Sequence, residues 1–566
     1  MNRFVGPPAV LCAVVIAIPA HGDQVLQFRD FTNLRFPAPT NEYSNQATLG
    51  DLDNDGDLDI IFANGGNFGS QGPAQTQRVY INDGAGFFTE ESDRIGMSGW
   101  ARGVELGDID NDGDLDVIFA QDFNHVPQLF ENDGNGNFDN ITSSHTPNVS
   151  LSSSRAQFGD IDNDGDMDLF ITNGGTSRFG CSTYRIYIND GTGHYTNESS
   201  TYLPGIGNIC NNMDVIFGDI DGDFDLDARS ASTGSNNSRL FVNDGAGIFS
   251  ISTSIPTDAS CYSYDFGDIN GDGDLDLLGV NAIPGSSGEY LLENDGSGNF
   301  TNISGQISPN PSLDDNDSKF LDYDMDGDLD LLVGRLGTGG ERLYENNGAG
   351  FFTQTSDLFQ ILADSTLDVV VGDLTNNGAF DVVTAQGESG SYTNRIYLNG
   401  GSPDVRAPRI IDTEQLPDSS DAGPFVVRAA ILDDMTSDRN FFYQQILLAY
   451  TVNDGPTQSV EMMYSGGQIY RGVIPGAGCG TVEYWIEATD RAGNTGSSIE
   501  DARTFQISAG GPVGDANGDG TVDVEDLVAV IVDWGKCGDC SADINDDGQV
   551  DVQDLVLVIL NWGASC

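Results

Sequence analysis

The sequence predicts a mainly β protein: a seven-bladed β-propeller, then a β-sandwich, then a small α-helical domain with EF-hand-like loops. Three observations lead there. A nine-residue acidic cassette, Asp-x-Asp-x-Asp-Gly-Asp-x-Asp, opens at Asp51, Asp108, Asp160, Asp219, Asp268 and Asp322, with a worn copy at Asp373, a repeat of 49 to 59 residues. Each copy runs straight into an apolar stretch, and no helical periodicity separates it from the next. Near the end of the chain a second kind of acidic loop occurs twice, 28 residues apart, each followed by an apolar helical stripe.

Composition narrows the classes. The 566 residues include 88 Asp plus Glu against 23 Lys plus Arg, a formal net charge of -65. Such a surface repels nucleic-acid phosphates and anionic lipid, so neither nucleic acid nor direct membrane insertion is expected. A hydrophobic share of 38% argues for packed cores rather than a disordered polyanion. Residues 1–22 carry Arg3, an apolar run from Val10 to Ile18, and small residues at Ala20 and Gly22. That is the pattern of a secretory signal peptide, too short to span a bilayer. Leu11 precedes Cys12 where a lipoprotein signal wants a small residue, so no lipid anchor is expected. A secreted or cell-surface protein follows, and export permits disulfides. Cys181 with Cys210, and Cys566 with Cys537 or Cys540, can pair, and one thiol should remain over.

Residues 23–402 form the repeat array. In the first repeat, 47–49 lead into the acidic loop and 60–63 lead out; 78–81 follow, and Asn82-Asp83-Gly84 signals a hairpin before Phe87-Phe88-Thr89. The turn returns at Asn132, Asn189, Asn243, Asn294 and Asn346, each with an aromatic residue six positions on. Four antiparallel strands in about fifty residues is the size of a propeller blade. The seventh repeat stops after a third strand at 395–399, while Phe28-Arg29-Asp30-Phe31-Thr32 matches a fourth strand. The N-terminal segment is therefore expected to complete the last blade, which removes two exposed edges.

In each cassette, carboxylates at positions 1, 3 and 5 converge, glycine at position 6 permits a sharp turn, position 7 offers its carbonyl and position 9 closes the shell. Two carboxylates 4 Å apart repel by about 4 kcal/mol at an effective dielectric near 20, so a cluster of four or five needs a cation. Hard oxygen ligands without His or Cys select calcium. The expected ligands are Asp51, Asp53, Asp55, Asp57 and Asp59; Asp108, Asp110, Asp112, Asp114 and Asp116; Asp160, Asp162, Asp164, Asp166 and Asp168; Asp268, Asn270, Asp272, Asp274 and Asp276; and Asp322, Asp324, Asp326, Asp328 and Asp330. In the loop of Asp219, Asp221, Asp223 and Asp227, Gly222 stands at position 4 and Phe224 at position 6, so its turn is expected to differ. The Asp373 loop, with Thr375 and Asn377, is expected to have lost most affinity. About five to six calcium ions are expected in the array. An EF-hand would want an acidic position 12, which here falls inside a strand, at Phe62, Phe119 and Ile171.

The cassette together with the Asn-Asp-Gly-x-Gly-x-Phe turn resembles the FG-GAP/VCBS repeat family, which includes the calcium-binding propeller of integrin α subunits. The resemblance covers roughly residues 24–402. It implies calcium loops that stiffen the blades and a ligand bound elsewhere on the ring, a binding platform rather than a reaction.

From residue 403 to 510 the cassettes stop. Strands are expected at 425–431, 445–452, 459–463, 469–474, 481–488 and 504–507, which suggests a β-sandwich. It resembles the Ig-like and fibronectin-type modules that act as spacers. Residues 511–566 hold the duplicated loops, with expected ligands Asp515, Asn517, Asp519, Thr521, Asp523 and Asp526, then Asp543, Asn545, Asp547, Gln549, Asp551 and Asp554. The stripes Leu527, Val530, Ile531, Trp534 and Leu555, Val558, Ile559, Trp562 follow. Two such loops, each with one helix, resemble a type I dockerin holding two calcium ions. That implies a cohesin or surface-anchoring partner, although Val524-Glu525 and Val552-Gln553 depart from the Ser-Thr pair frequent in clostridial dockerins.

No nucleophile motif, zinc cluster or phosphate loop occurs, and His125, His145 and His194 are not at metal-ligand spacing. The favoured function is a non-catalytic adhesion or carbohydrate/protein-binding platform for an extracellular glycan or protein. The alternative is an extracellular polysaccharide-degrading lyase or glycoside hydrolase attached by its dockerin; a passive surface-layer protein is a third. Lyase chemistry wants a basic patch. Arg78, Arg185, Arg239, Arg342 and Arg395 instead recur at the starts of third strands and read as structural.

Overall fold

The structure is a computed structural model that describes residues 26–563 except 38, 68, 175–179, 235–237, 259, 282–287, 356–357, 361, 388–389, 435–442, 509–512, 519, 537–539 and 546. The expected signal peptide, the ligand Asp519, and Cys537 and Cys566 lie outside the described residues.

The chain is mainly β, built from many small sheets whose pairings are antiparallel apart from Ile307–Ser308 against Phe352–Gln354. The first unit pairs Ser44–Gly50, Asp59–Asn64, Arg78–Asn82 and Phe88–Glu90 in that order. Units of the same order begin at Ala101–Gly107, Ala156–Gly159, Asn212–Gly218, Cys261–Gly267, Asp315–Leu321 and Ala363–Gly372. The last of these takes Phe28–Asp30 as its fourth strand, antiparallel to Arg395–Asn399 with Phe28 opposite Asn399. The sixth and seventh units also join directly, through Asp330–Thr338 against Ala363–Gly372.

The first strand of each unit lies against the first strand of the next, and that of the seventh lies against that of the first. Side chains on these strands satisfy the neighbour's backbone: Gln46 accepts from Val104 N, Asp265 from Phe320 N, Asp317 from Val369 N and Asp368 from Ala47 N. Glycine precedes every cassette except the one at Asp322, which follows Leu321, and it leaves room for the next unit. A Cβ on Gly50 would stand 2.6 Å from Leu106, and one on Gly107 would stand 2.9 Å from Phe158.

The hairpin-turn asparagines do more than turn the chain. Asn132 Nδ2 donates to the Leu52 carbonyl of the preceding unit, and Asn189, Asn243, Asn294 and Asn346 repeat this toward Ile109, Ile161, Ile220 and Ile269. Asn399 reaches Tyr323 O, and Asn82 reaches Leu374 O, so the series returns from the seventh unit to the first. The third-strand arginines are structural, as expected. Arg78 pairs with Glu42 and Glu90, Arg342 with Glu289 and Asp315, and Arg395 with Asp30.

Beyond residue 403, two antiparallel sheets share one apolar cluster that includes Val427, Ile431, Leu448 and Ile486. The expected strand at 459–463 is in fact two, Gln458–Glu461 in one sheet and Met463–Gly466 in the other. The buried Met462 makes the crossing, its N–H donating to Ile446 O. The strand Arg409–Thr413 had no signal in the sequence reading. In the C-terminal segment, helices Val524–Val532 and Val552–Leu560 begin at capping boxes, with Asp523 and Asp551 as N-caps. Of the two apolar stripes only Val530 and Val558 are fully buried; Ile531, Trp534, Ile559 and Trp562 are exposed. Cys181 and Cys210 are disulfide-bonded as expected, Cys540 is bonded as well, and Cys261 is a buried free thiol. Among the described residues no helix is long and apolar enough to cross a membrane.

Candidate metal centres

Each acidic loop folds around its own side chains. Outside the Asp160 loop, the position 1 carboxylate accepts the N–H groups of positions 5 and 6, as Asp51 does from Asp55 and Gly56 and Asp322 does from Asp326 and Gly327. The position 9 carboxylate clamps the base. Asp59 accepts from Leu52 N and Asn82 N, and Asp116 from Ile109 N and Asn132 N. Both oxygens of position 9 therefore hold the loop to the following hairpin while standing beside positions 1 and 3.

Five loops bring positions 1, 3 and 9 together, each offering oxygens within 4.8 Å of one another: Asp51, Asp53 and Asp59; Asp108, Asp110 and Asp116; Asp160, Asp162 and Asp168; Asp219, Asp221 and Asp227; Asp322, Asp324 and Asp330. In all five the position 3 oxygen is buried without a hydrogen-bond partner, at Oδ1 of Asp53, Asp110, Asp162, Asp221 and Asp324. Both oxygens of Asp160 share that state. A buried unpaired carboxylate oxygen is costly, and a hard divalent cation is the group that would satisfy five of them at the same place in five loops. Burial pushes the Asp59, Asp116 and Asp276 carboxyls up to about 8 and Asp330 up to about 9. Asp160, Asp219 and Asp322 rise to about 6, again through burial. A cation at these oxygens would hold them ionised in place of a proton.

One expectation is corrected. The Asp219 loop does not turn differently: Phe224 takes the left-handed conformation at φ 66° that glycine takes at position 6 elsewhere, and its N–H still donates to Asp219. Its acidic triad forms like the others. In the Asp268 loop, where Asn270 at position 3 is still expected to be a ligand, Arg409 Nη2 lies 2.8 Å from Asp268 Oδ2. Its position 3 residue, Asn270, accepts from Asp272 N and donates to Glu293.

The position 7 side chains do not point inward. Asp114 Oδ1 accepts Asn54 Nδ2 of the preceding loop, Asp166 accepts Asn111, Asp225 accepts Asn163, and Asp57 accepts Asn376. These position 4 asparagines link loop to loop, and no spacing rule identified them. The position 5 residues, Asp55 and Asp112, accept the N–H of their own position 7. In the C-terminal loops the position 12 carboxylates are fully buried; Asp526 accepts from Asn517 N and Asp523 N, and Asp554 from Ile544, Asn545 and Asp551 N. His145 and His194, far apart in sequence, have ring centroids 3.8 Å apart.

The FG-GAP-like repeat family matches residues 51–119, 108–171, 230–279 and 322–384. The chain carries FG-GAP-like repeats. No curated protein matches the chain. Among solved structures, a lectin from Agrocybe aegerita, described by its recognition of non-reducing terminal N-acetylglucosamine, is 18% identical; the match covers 57% of this chain and 80% of the lectin at a TM-score of 0.37. The extracellular domain of the putative hybrid two-component system BT3049 of B. thetaiotaomicron is 9% identical, covering 83% of this chain and 56% of that one at a TM-score of 0.37. The V. cholerae biofilm matrix protein Bap1 is 12% identical, covering 70% and 71% at 0.25.

Proposed function

We infer that the protein is a secreted or cell-surface, calcium-stabilised binding platform without catalytic chemistry of its own. Residues 23–402 close as a seven-bladed propeller, 403–510 form an Ig-like or fibronectin-like spacer, and 511–566 form a type I dockerin that holds two calcium ions through the ligands named above. The observation that carries this reading is the unpaired position 3 oxygen in five of the repeat loops. Asp51, Asp108, Asp160, Asp219 and Asp322 with their position 3 and 9 partners would hold the ions. Bound calcium would supply charge neutralisation and stiffness there; the loops' own N–H bonds orient the ligands.

The binding surface is the end of the ring opposite the loops, where the first strands begin. A cavity of about 60 Å³ opens there among Asn45, Arg102, Ser154, Arg155, Met213 and Asn316. Pockets that enclose a small ligand run to roughly 300–1,000 Å³, so this end suits an extended glycan or protein lying over it. Trp100 stacks on His125 at 4.1 Å on the approach to Arg102, whose guanidinium lies over Phe123. Aromatic faces beside amide and guanidinium donors suit sugar rings. The exposed Ile531, Trp534, Ile559 and Trp562 support docking of the tail to an apolar partner, a cohesin or another anchor. A glycan array probed with the intact protein tests the reading, with expected binding that Trp100→Ala abolishes while calcium content stays constant. Release of reducing ends or unsaturated sugars from acidic polysaccharides would replace it with the degradative alternative.

A further inference from the structure

The end of the array that carries the acidic loops is covered by the second β-module. Its backbone seats directly on the loops: Asp160 N donates to Ser465 O at 2.7 Å and Asp322 N donates to Asp434 O at 2.8 Å. Gln468 exchanges two bonds with the backbone of Asp219. Onto this frame the module adds arginines, one for each of five loops, in a chain with only 23 basic residues. Arg409 meets Asp268 Oδ2 at 2.8 Å, and Arg428 Nη1 donates to Asp225 Oδ1 at 2.6 Å and to Phe224 O at 3.1 Å. Arg406 Nη1 lies 4.0 Å from Asp322 Oδ2. Arg491 donates to Gly56 O and its charge acts on Asp51, while that of Arg471 acts on Asp160.

We propose that this module is a calcium-sensitive cover, in which arginines and metal draw on the same loop charge and each weakens the other's hold. Asp268 is where the two would meet: its side chain is fully buried, and the Arg409 side chain on its oxygen is 46% exposed. A cation in that loop would face the guanidinium across a few ångströms and repel it. Coupling between two ligands is reciprocal, so calcium loosens the cover by the factor by which the cover lowers calcium affinity. The loops that lack a position 4 asparagine, at Gly222, Gly271 and Met325, belong to the three units that Arg428, Arg409 and Arg406 address. At Asp225 the guanidinium of Arg428 shares the oxygen that accepts the loop-to-loop amide of Asn163. This regulation goes beyond the platform reading and concerns the opposite end of the molecule.

Calcium titration calorimetry of the full chain tests it. Arg409→Gln and Arg428→Gln are each expected to tighten calcium binding at one site by about fivefold or more, the lower end of typical coupling. Arg409→Lys, which keeps the charge, and Arg503→Gln, whose partner Asp412 lies within the module, are expected to match the parent. Unchanged or weaker affinity in the two Gln variants, or no calcium binding at all, would overturn the proposal. Should the variants not fold, the parent chain answers alone. The Asp160 and Asp322 amides, which donate to the module, are expected to exchange hydrogen faster in saturating than in trace calcium, and equal or slower exchange would sink the idea. Glycan binding lost through Trp100→Ala is read at the other end and is independent of either result.

Discussion

Asp110 illustrates what a single side chain in these loops does. Position 3 makes no hydrogen bond with Oδ1, whereas positions 1 and 9 are tied into the loop by two N–H groups each. Removing the position 3 charge should therefore spare the loop and cost the ion. Asp110→Asn is expected to lower the bound calcium by one equivalent in elemental analysis, with an unchanged circular dichroism spectrum. Asp116→Asn is expected to lose the ion and the clamp together. Alternating carboxylates and the fixed glycine were legible in the sequence because hard-ion coordination needs those types at that spacing. Asn54 was not legible because its partner, Asp114, lies in the next loop, and Phe224 because its side chain gives no sign that the backbone takes the left-handed turn usual for glycine.

At the scale of elements, the four strands of each repeat could be read from the apolar stretches and the Asn-Asp-Gly turns. The turn asparagine reads as a hairpin residue, yet its amide is the joint between neighbouring units. Asn132 donates to Leu52 O and Leu115 O and accepts from Gly136 N, all buried or nearly so. At about 1 kcal/mol for each bond, Asn132→Ala is expected to destabilise by about 3 kcal/mol, measurable as a lower urea midpoint in saturating calcium. An Asp83→Ala change in an exposed turn is the matching control and should cost far less. The split at Met462 escaped the sequence because one apolar residue can serve two sheets without interrupting an alternating pattern. The short strand Arg409–Thr413 escaped it because three of its five residues are polar and its two isoleucines divide, Ile410 packing into the module's core and Ile411 against the loop end.

For the molecule as a whole, the charge, the repeat period and the split seventh unit were all visible in the chain, and the packing of the second module on the loop end was not. Nothing in a sequence records which loop an arginine will find a hundred residues away. Metal removal is the global test. At free calcium a hundredfold above its Kd each site adds roughly 2.7 kcal/mol, so chelation is expected to lower the melting temperature in calorimetry. A separate pH dependence comes from the axis of the array. Burial pushes Asp214 up to about 6 and Asp368 up to about 7, although Arg155 bonds both. Carboxyls raised in this way favour the folded state fully below the unfolded value near 4, and that contribution is lost as pH rises through 6 to 7. In saturating calcium the melting temperature is expected to fall between pH 5 and 8, and Asp214→Asn is expected to flatten the decline.

The strand Phe28–Asp30 and its partner Arg395–Asn399 stand at opposite ends of the array, and Thr32 Oγ1 accepts Ile396 N across 364 residues. A polypeptide leaving a ribosome or an export channel presents the first of these long before the second exists. Six repeats can hairpin as they emerge, but the leading segment must stay unpaired until the last repeat arrives, and no truncated intermediate can complete the circle. Circularly permuted chains that begin at residue 44 and carry 26–32 after 402 would remove that wait, and they are expected to refold faster than the natural order of the same residues.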